Sequence, residues 1–282
     1  MRHQPSAAND PAVGREPSRV APTAGPDVPT LGRAGRGHAA ERRAGPAPAA
    51  GTNTGALILH GFTSTTASMQ PVADAAAQAG YAVELPLLPG HGTRWEELAQ
   101  TPAEAIFEAV DSAYQRLAER CAAVVPVGLS MGAALALWAA AEHRAAGVVV
   151  INPGLRLKAG SGLLARMLSR VRPTLTSIAG DIAAPGVTEE AYPVTPVRAV
   201  VQLDRVFRQA RTALPALAHR GTDVLLLRSP LDNVVGSASS TLLKRSVPQT
   251  REAILRRSRH VATLDYDAEL INRRVVAFLR DR

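Results

Sequence analysis

The pentapeptide Gly128-Leu129-Ser130-Met131-Gly132 constrains this chain more than any other feature. It follows directly on the apolar run 124–127 and leads into the alanine-rich stretch 130–143. A short apolar run followed by a stretch of strong helix formers reads as a buried strand turning into a helix. A serine at such a turn is forced into a strained backbone conformation, and the flanking glycines let strand and helix approach. The turn lifts the hydroxyl above the sheet at a helix N-terminus, where developing negative charge is favoured. Ser130 is the candidate nucleophile.

The rest of the chain supplies the sheet this turn requires. Apolar runs at 56–60, 81–85, 122–127, 147–151, 223–228 and 252–256 read as strands. Helical stretches separate them: 69–79 ended by Gly80, 102–119, 130–143, and a last one from near Asp265 or Tyr266 to the C-terminus. Thr101, Pro102 and Glu104 have the spacing of an N-cap, first helical residue and capping box. Strands alternating with helices imply an α/β fold, a mostly parallel sheet covered on both faces. One stretch breaks the alternation. Residues 153–220 offer no convincing strand, only a short amphipathic helix (163–171), a Pro-rich connection and a longer helix (197–218). That insertion is too long for a plain loop and is expected to form a cap over the carboxyl end of the sheet.

Residues 1–51 are rich in Pro, Gly, Ala and Arg without apolar periodicity, the composition of a disordered tail. The folded domain is therefore expected over 52–282. The tail lacks the continuous apolar core of a secretory signal, and no apolar run reaches the roughly 20 residues that span a bilayer, so a cytoplasmic protein without an integral membrane segment is expected. The 32 basic residues give a net charge of +8, yet they are mostly scattered arginines with no zinc-finger or RNA-binding signature, which argues against nucleic acid as a partner. Cys121 is the single cysteine, so an intrachain disulfide and a multi-thiolate metal site are excluded. Cys121 itself reads as a small semi-buried side chain.

A nucleophilic serine needs a base and a carboxylate that orients it, here on loops after later strands in the order Ser, acid, His. His260 lies just beyond the strand 252–256, in Ser258-Arg259-His260-Val261. Asp232 lies in the loop after the strand 223–228. Asp223 stands at the wrong end of its strand, Asp204 is on a helix expected to face solvent, and Asp265 and Asp267 read as helix-starting residues. Two backbone N–H groups must also meet the developing oxyanion. Met131, after the nucleophile, and Phe62, in the loop His60-Gly61-Phe62-Thr63, are placed to provide them.

The segments Leu57-Ile58-Leu59-His60-Gly61-Phe62-Thr63, Leu87-Leu88-Pro89-Gly90-His91-Gly92, Gly128-Leu129-Ser130-Met131-Gly132 and Ser258-Arg259-His260-Val261-Ala262-Thr263-Leu264-Asp265 together resemble bacterial carboxylesterases and monoacylglycerol lipases of the α/β-hydrolase superfamily. The resemblance implies Ser130, Asp232 and His260 as the triad and Phe62 and Met131 as the oxyanion hole. It further implies a small helical cap, no cofactor, no metal, and a small-molecule ester or monoacylglycerol as substrate. Phe62, Met131, Leu163 and Leu164 are expected to line the acyl site. Serine at the elbow argues against dehalogenases and epoxide hydrolases, which use aspartate there, and against dienelactone-type hydrolases, which use cysteine. Acyl transfer and perhydrolysis use the same triad and stay open, as does a non-catalytic binding protein on this scaffold. Oligomeric state is not legible.

Overall fold

The computed structural model describes residues 53–157 and 172–282. The expected tail over 1–51, the helix expected over 163–171 and the acyl-site candidates Leu163 and Leu164 lie outside the described residues.

Six strands form one sheet: β1 (Thr54–Leu59), β2 (Ala82–Glu84), β3 (Ala123–Leu129), β4 (Gly147–Ile151), β7 (Asp223–Arg228) and β8 (Arg251–Ile254). Their order is β2-β1-β3-β4-β7-β8, and every pairing among them is parallel. The strands sort their side chains by the period of two. Leu57 and Leu59 of β1 and Val148 and Val150 of β4 face one core; Ala56 and Ile58, Val149 and Ile151 face the other. Both faces must therefore be covered. Helices α1 (Gln70–Gln78) and α7 (Ala268–Arg280) cover one face. Helices α2 (Trp95–Gln100), α3 (Ala103–Ala118), α4 (Met131–Glu142), α5 (Val197–His219) and α6 (Gly236–Ser246) contribute to the core on the other.

Helix α4 is apolar around nearly its whole circumference, because it is wedged between the sheet and α5. Its alanines keep that sandwich thin. Chain order reverses between β1 and β3: β2 lies on one side of β1, and β3, β4, β7 and β8 on the other. In open α/β sheets the crevice at the carboxyl ends of such strands is where ligands bind. The loops that leave β1 and β3 here carry Phe62 and Ser130.

Two local expectations give way. Thr101 does not cap α3: its hydroxyl donates to the Glu97 carbonyl at the end of α2, a helix the sequence reading had missed, and Pro102 takes the cap position without a side-chain bond. Thr101 is itself the C-cap of α2 and stands one residue outside the cap position of α3. The 153–220 stretch does hold strands, β5 (Thr174–Thr176) and β6 (Val194–Pro196), paired antiparallel as a separate two-stranded sheet. Runs of three residues are too short to show periodicity. Helix α5, expected over 197–218, forms at Val197–His219 and packs on α4, so most of it is the crossover from β4 to β7.

Candidate active site

Ser130 sits between β3 and α4 at φ 56° and ψ −112°, a region that costs a non-glycine residue of order 1–3 kcal/mol. The surroundings enforce it. A Cβ on Gly128 would stand 2.1 Å from the Gly132 carbonyl oxygen, and one on Gly132 would stand 2.1 Å from that of Leu59. The G-x-S-x-G spacing is thus the contact of α4 with β3 and β1, made backbone to backbone. The Ser130 N–H donates to the Ile151 carbonyl at 3.0 Å, and the Gly154 N–H donates to the Ser130 carbonyl at 3.1 Å.

Asp232 follows β7 and His260 follows β8, as their chain order predicts. His260 Nδ1 lies 2.8 Å from Asp232 Oδ2, with both side chains nearly excluded from solvent. Asp232 Oδ1 accepts from the Val234 and Val235 N–H groups at 2.8 and 3.0 Å. Burial works to raise the Asp232 carboxyl, but the His260 hydrogen bond and charge, with these two N–H groups, outweigh it and hold it below the usual carboxylate range. An ionised Asp232 keeps the proton on Nδ1 and leaves Nε2 as the basic nitrogen. Ser130 and His260 line one small cavity together with Gly61 and Phe62.

Asp265 and Asp267 stand at the start of α7 as expected, Asp267 as its N-cap residue, but neither side chain makes a cap bond to the helix. Asp267 Oδ2 instead accepts from the Arg257 and Ser258 N–H groups and the Ser258 hydroxyl. Asp265 accepts from the Arg259, Tyr266, Ala183 and Ala184 N–H groups. A loop that turns between strand and helix exposes many donors, and these two carboxylates satisfy them. Asn152, at the end of β4, was not singled out in the sequence. Its Nδ2 donates to the His260 carbonyl at 2.8 Å, and its Oδ1 accepts from the Ser229 N–H at 2.7 Å, joining the bases of both loops. Its position just past a strand's carboxyl end was the one available signal. Cys121, expected to be semi-buried, is buried, and burial pushes its thiol up.

The Phe62 loop is held by a histidine pair. Leu88 N–H donates to His60 Nε2 at 3.1 Å, which puts the ring proton on Nδ1, 2.9 Å from the Gly61 carbonyl. The Gly61 C=O and Phe62 N–H belong to one planar trans peptide and point opposite ways. Fixing the carbonyl therefore aims the N–H, and it aims away from His60. Burial lowers His60 to about 3, with His91 adding to the effect, so the ring stays neutral. His91, from the Pro89-Gly90-His91-Gly92 turn, packs edge-on against both His60 and Phe62 and is itself lowered to about 4 by burial. Neither the Phe62 nor the Met131 N–H has a hydrogen-bond partner among the described residues.

A larger cavity of about 520 Å³ opens beside Ser130 and Phe62. Its apolar wall comes from Leu175 and Ile178 of the inserted segment, Val200, Leu203 and Phe207 of α5, and Val234 and Val235. The expected Phe62 lines it. Met131 does not: its side chain is fully buried beneath the elbow and reaches neither cavity. No amphipathic pattern marks the true lining residues, because they come from separate stretches of chain around residues 62, 130, 156, 178, 200 and 234.

Residues 56–273 match a family model described as the alpha/beta hydrolase family. The chain is 37% identical over 233 residues to a thermostable monoacylglycerol lipase of Bacillus sp. (strain H-257), covering 79% of this chain and 89% of that one. It is 25% identical over 236 residues to a carboxylesterase of Bacillus subtilis (strain 168), covering 81% and 93%. Among solved structures, one from work on the metagenome-derived lipolytic enzymes LipS and LipT superposes with a TM-score of 0.80 at 36% identity, over 86% of this chain and 98% of that chain. The monoacylglycerol lipase of Paleococcus ferrophilus shares the fold at a TM-score of 0.68 and 18% identity, over 84% and 97%.

Proposed function

Since this chain belongs to the alpha/beta hydrolase family and is an ester hydrolase of the carboxylesterase and monoacylglycerol lipase type, we propose that it cleaves monoacylglycerols or short- to medium-chain carboxylic esters through an acyl-enzyme on Ser130. The observation that carries the reading is the buried His260–Asp232 pair at 2.8 Å, beside a serine held at a strained elbow.

In the proposed reaction His260 Nε2 takes the Ser130 proton as Oγ bonds to the ester carbonyl carbon. The carbonyl π electrons move to oxygen, and the Phe62 and Met131 N–H groups stabilise that charge; a single such donor is worth about 3 kcal/mol. Asp232 stabilises the imidazolium without accepting its proton. The intermediate collapses, the C–O bond to the alcohol breaks, and His260 protonates the departing oxygen. Water then gives its proton to His260 as it attacks the acyl carbon, and Ser130 leaves with that proton as the carboxylic acid is released. No cofactor is called for in this cycle.

The cavity beside Ser130 would hold the acyl chain. Its volume falls within the roughly 300–1,000 Å³ typical of small-molecule sites, and its mostly apolar wall, with Arg156 and Asp181 as its charged lining residues, suits an alkyl chain. The inserted segment before α5 serves as a cap that closes this cavity. Ser130→Ala should abolish turnover of a p-nitrophenyl acyl ester and labelling by a fluorophosphonate while the fold persists by circular dichroism. Retained turnover or labelling in a folded variant would sink the assignment. An acyl-chain series that includes monoacylglycerols then ranks the substrates.

A further inference from the structure

We propose that Asp181, in the inserted segment between β5 and β6, is a positioning residue that sets the separation of the acid and base loops. The proposal rests on the reading of Asp232 and His260 as catalytic. Asp181 Oδ2 accepts from two backbone N–H groups at once, Asn233 at 3.0 Å and His260 at 3.1 Å. Its Oδ1 accepts from the Asn233 side-chain amide at 2.8 Å, and its own carbonyl accepts from the Val261 N–H at 3.1 Å. One carboxylate thus ties the residue next to the acid to the base itself, across loops that follow different strands. Its side chain is 12% exposed, so these bonds face little competition from water.

Asn152 already joins the two loops from the sheet side, through the Ser229 N–H and His260 carbonyl. Asp181 joins them from the opposite, inserted segment. That segment is anchored in turn, because Asp265 accepts from the Ala183 and Ala184 N–H groups at 2.8 and 3.0 Å while also holding Arg259. The consequence is a coupling. The segment that walls the large cavity with Ile178 also supplies a bond on which the His260 geometry depends.

The charged groups around His260 are Asp232 on its own loop after β7, Asp181 and Glu189 from the inserted segment, with Glu189 lining the same small cavity, and Arg259 and Asp265 from the β8–α7 connection. Asp181 also faces the Arg259 guanidinium at 4.0 Å, so its charge is shared with that cation. Asp181→Asn removes that charge and turns an NH2 toward donors, while nearly keeping the shape.

The test compares wild type, Asp181→Asn and Ser130→Ala with p-nitrophenyl butyrate, with sites counted by fluorophosphonate titration. For Asp181→Asn, kcat per titrated site should fall about ten- to a hundredfold, the scale of an ångström-sized misplacement, with KM within about twofold. A fall in kcat per titrated site with KM kept is a split that mere loss of folded protein would not cause. A kcat per site within about twofold of wild type overturns the proposal. If Asp181→Asn yields no titratable protein, Asn233→Ala removes only the side-chain bond and should lower kcat per site about fivefold, the effect of roughly 1 kcal/mol; no change there also overturns it. Turnover by Ser130→Ala would instead refute the underlying triad, whatever Asp181 does.

Discussion

Replacing His60 by glutamine and by asparagine separates the two bonds this buried ring makes. A glutamine places its terminal oxygen near the position of Nε2, where it can still accept from the Leu88 N–H, but it leaves the Gly61 carbonyl without its donor. An asparagine places its amide nitrogen near Nδ1, where it can still donate to Gly61, but it orphans the Leu88 N–H. Each orphaned buried group costs about 1–3 kcal/mol, a large share of the roughly 5–15 kcal/mol that holds a domain together. Both variants should therefore lose similar stability, read as the urea midpoint. They should differ in catalysis. In His60→Gln the Gly61–Phe62 peptide is free to rotate, and loss of one oxyanion donor costs about 10²–10³-fold in kcat. In His60→Asn the peptide stays fixed, and kcat per fluorophosphonate-titrated site should remain within about threefold of wild type. Equal loss of kcat in the two variants, or a fully active His60→Gln, would refute the argument that His60 aims the Phe62 N–H.

Stability should also fall on the acid side of neutrality. His60 and His91 are lowered in the fold to about 3 and about 4 from 6.5, so below pH 6.5 the unfolded chain binds protons that the fold does not. Their contribution is complete above pH 6.5 and is lost as pH falls toward 4 and then 3, at up to about 1.4 kcal/mol per pH unit for each. Asp232 and Asp265, held below the usual carboxylate range, lose theirs in the same direction at lower pH still. Urea midpoints that stay flat from pH 6.5 to 5 would contradict this. Gly128→Ala should cost more than the roughly 1–3 kcal/mol of ordinary overpacking, since its Cβ would meet backbone at 2.1 Å. Gly61→Ala, whose Cβ would meet Ser130 Cβ at an ordinary 3.7 Å, should keep the fold; thermal melts that reverse this order would show that the elbow contact is misread.

What the sequence determined by itself is whatever short-range pattern dictates. Strands buried on both faces read as continuous apolar runs, and the elbow reads from its glycines, because no larger residue fits where α4 meets β3 and β1. The positions of Asp232 and His260 followed from chain order, since each loop must emerge at the carboxyl end of its strand. What only the tertiary structure decided is everything held by partners distant in the chain. Thr101 closes the helix before it rather than opening the one after, because α3 takes Pro102 as its cap residue. Asp265 and Asp267 answer the donors of the His260 loop rather than those of α7. Met131 turns its side chain into the core, a direction set by the backbone at Ser130. Asn152 and Asp181 clasp the Asp232 and His260 loops from opposite sides through bonds to residues 52 to 108 positions away. A side chain's type limits which bonds it can make, but which donors come within 3 Å of it is settled only when the whole chain has folded.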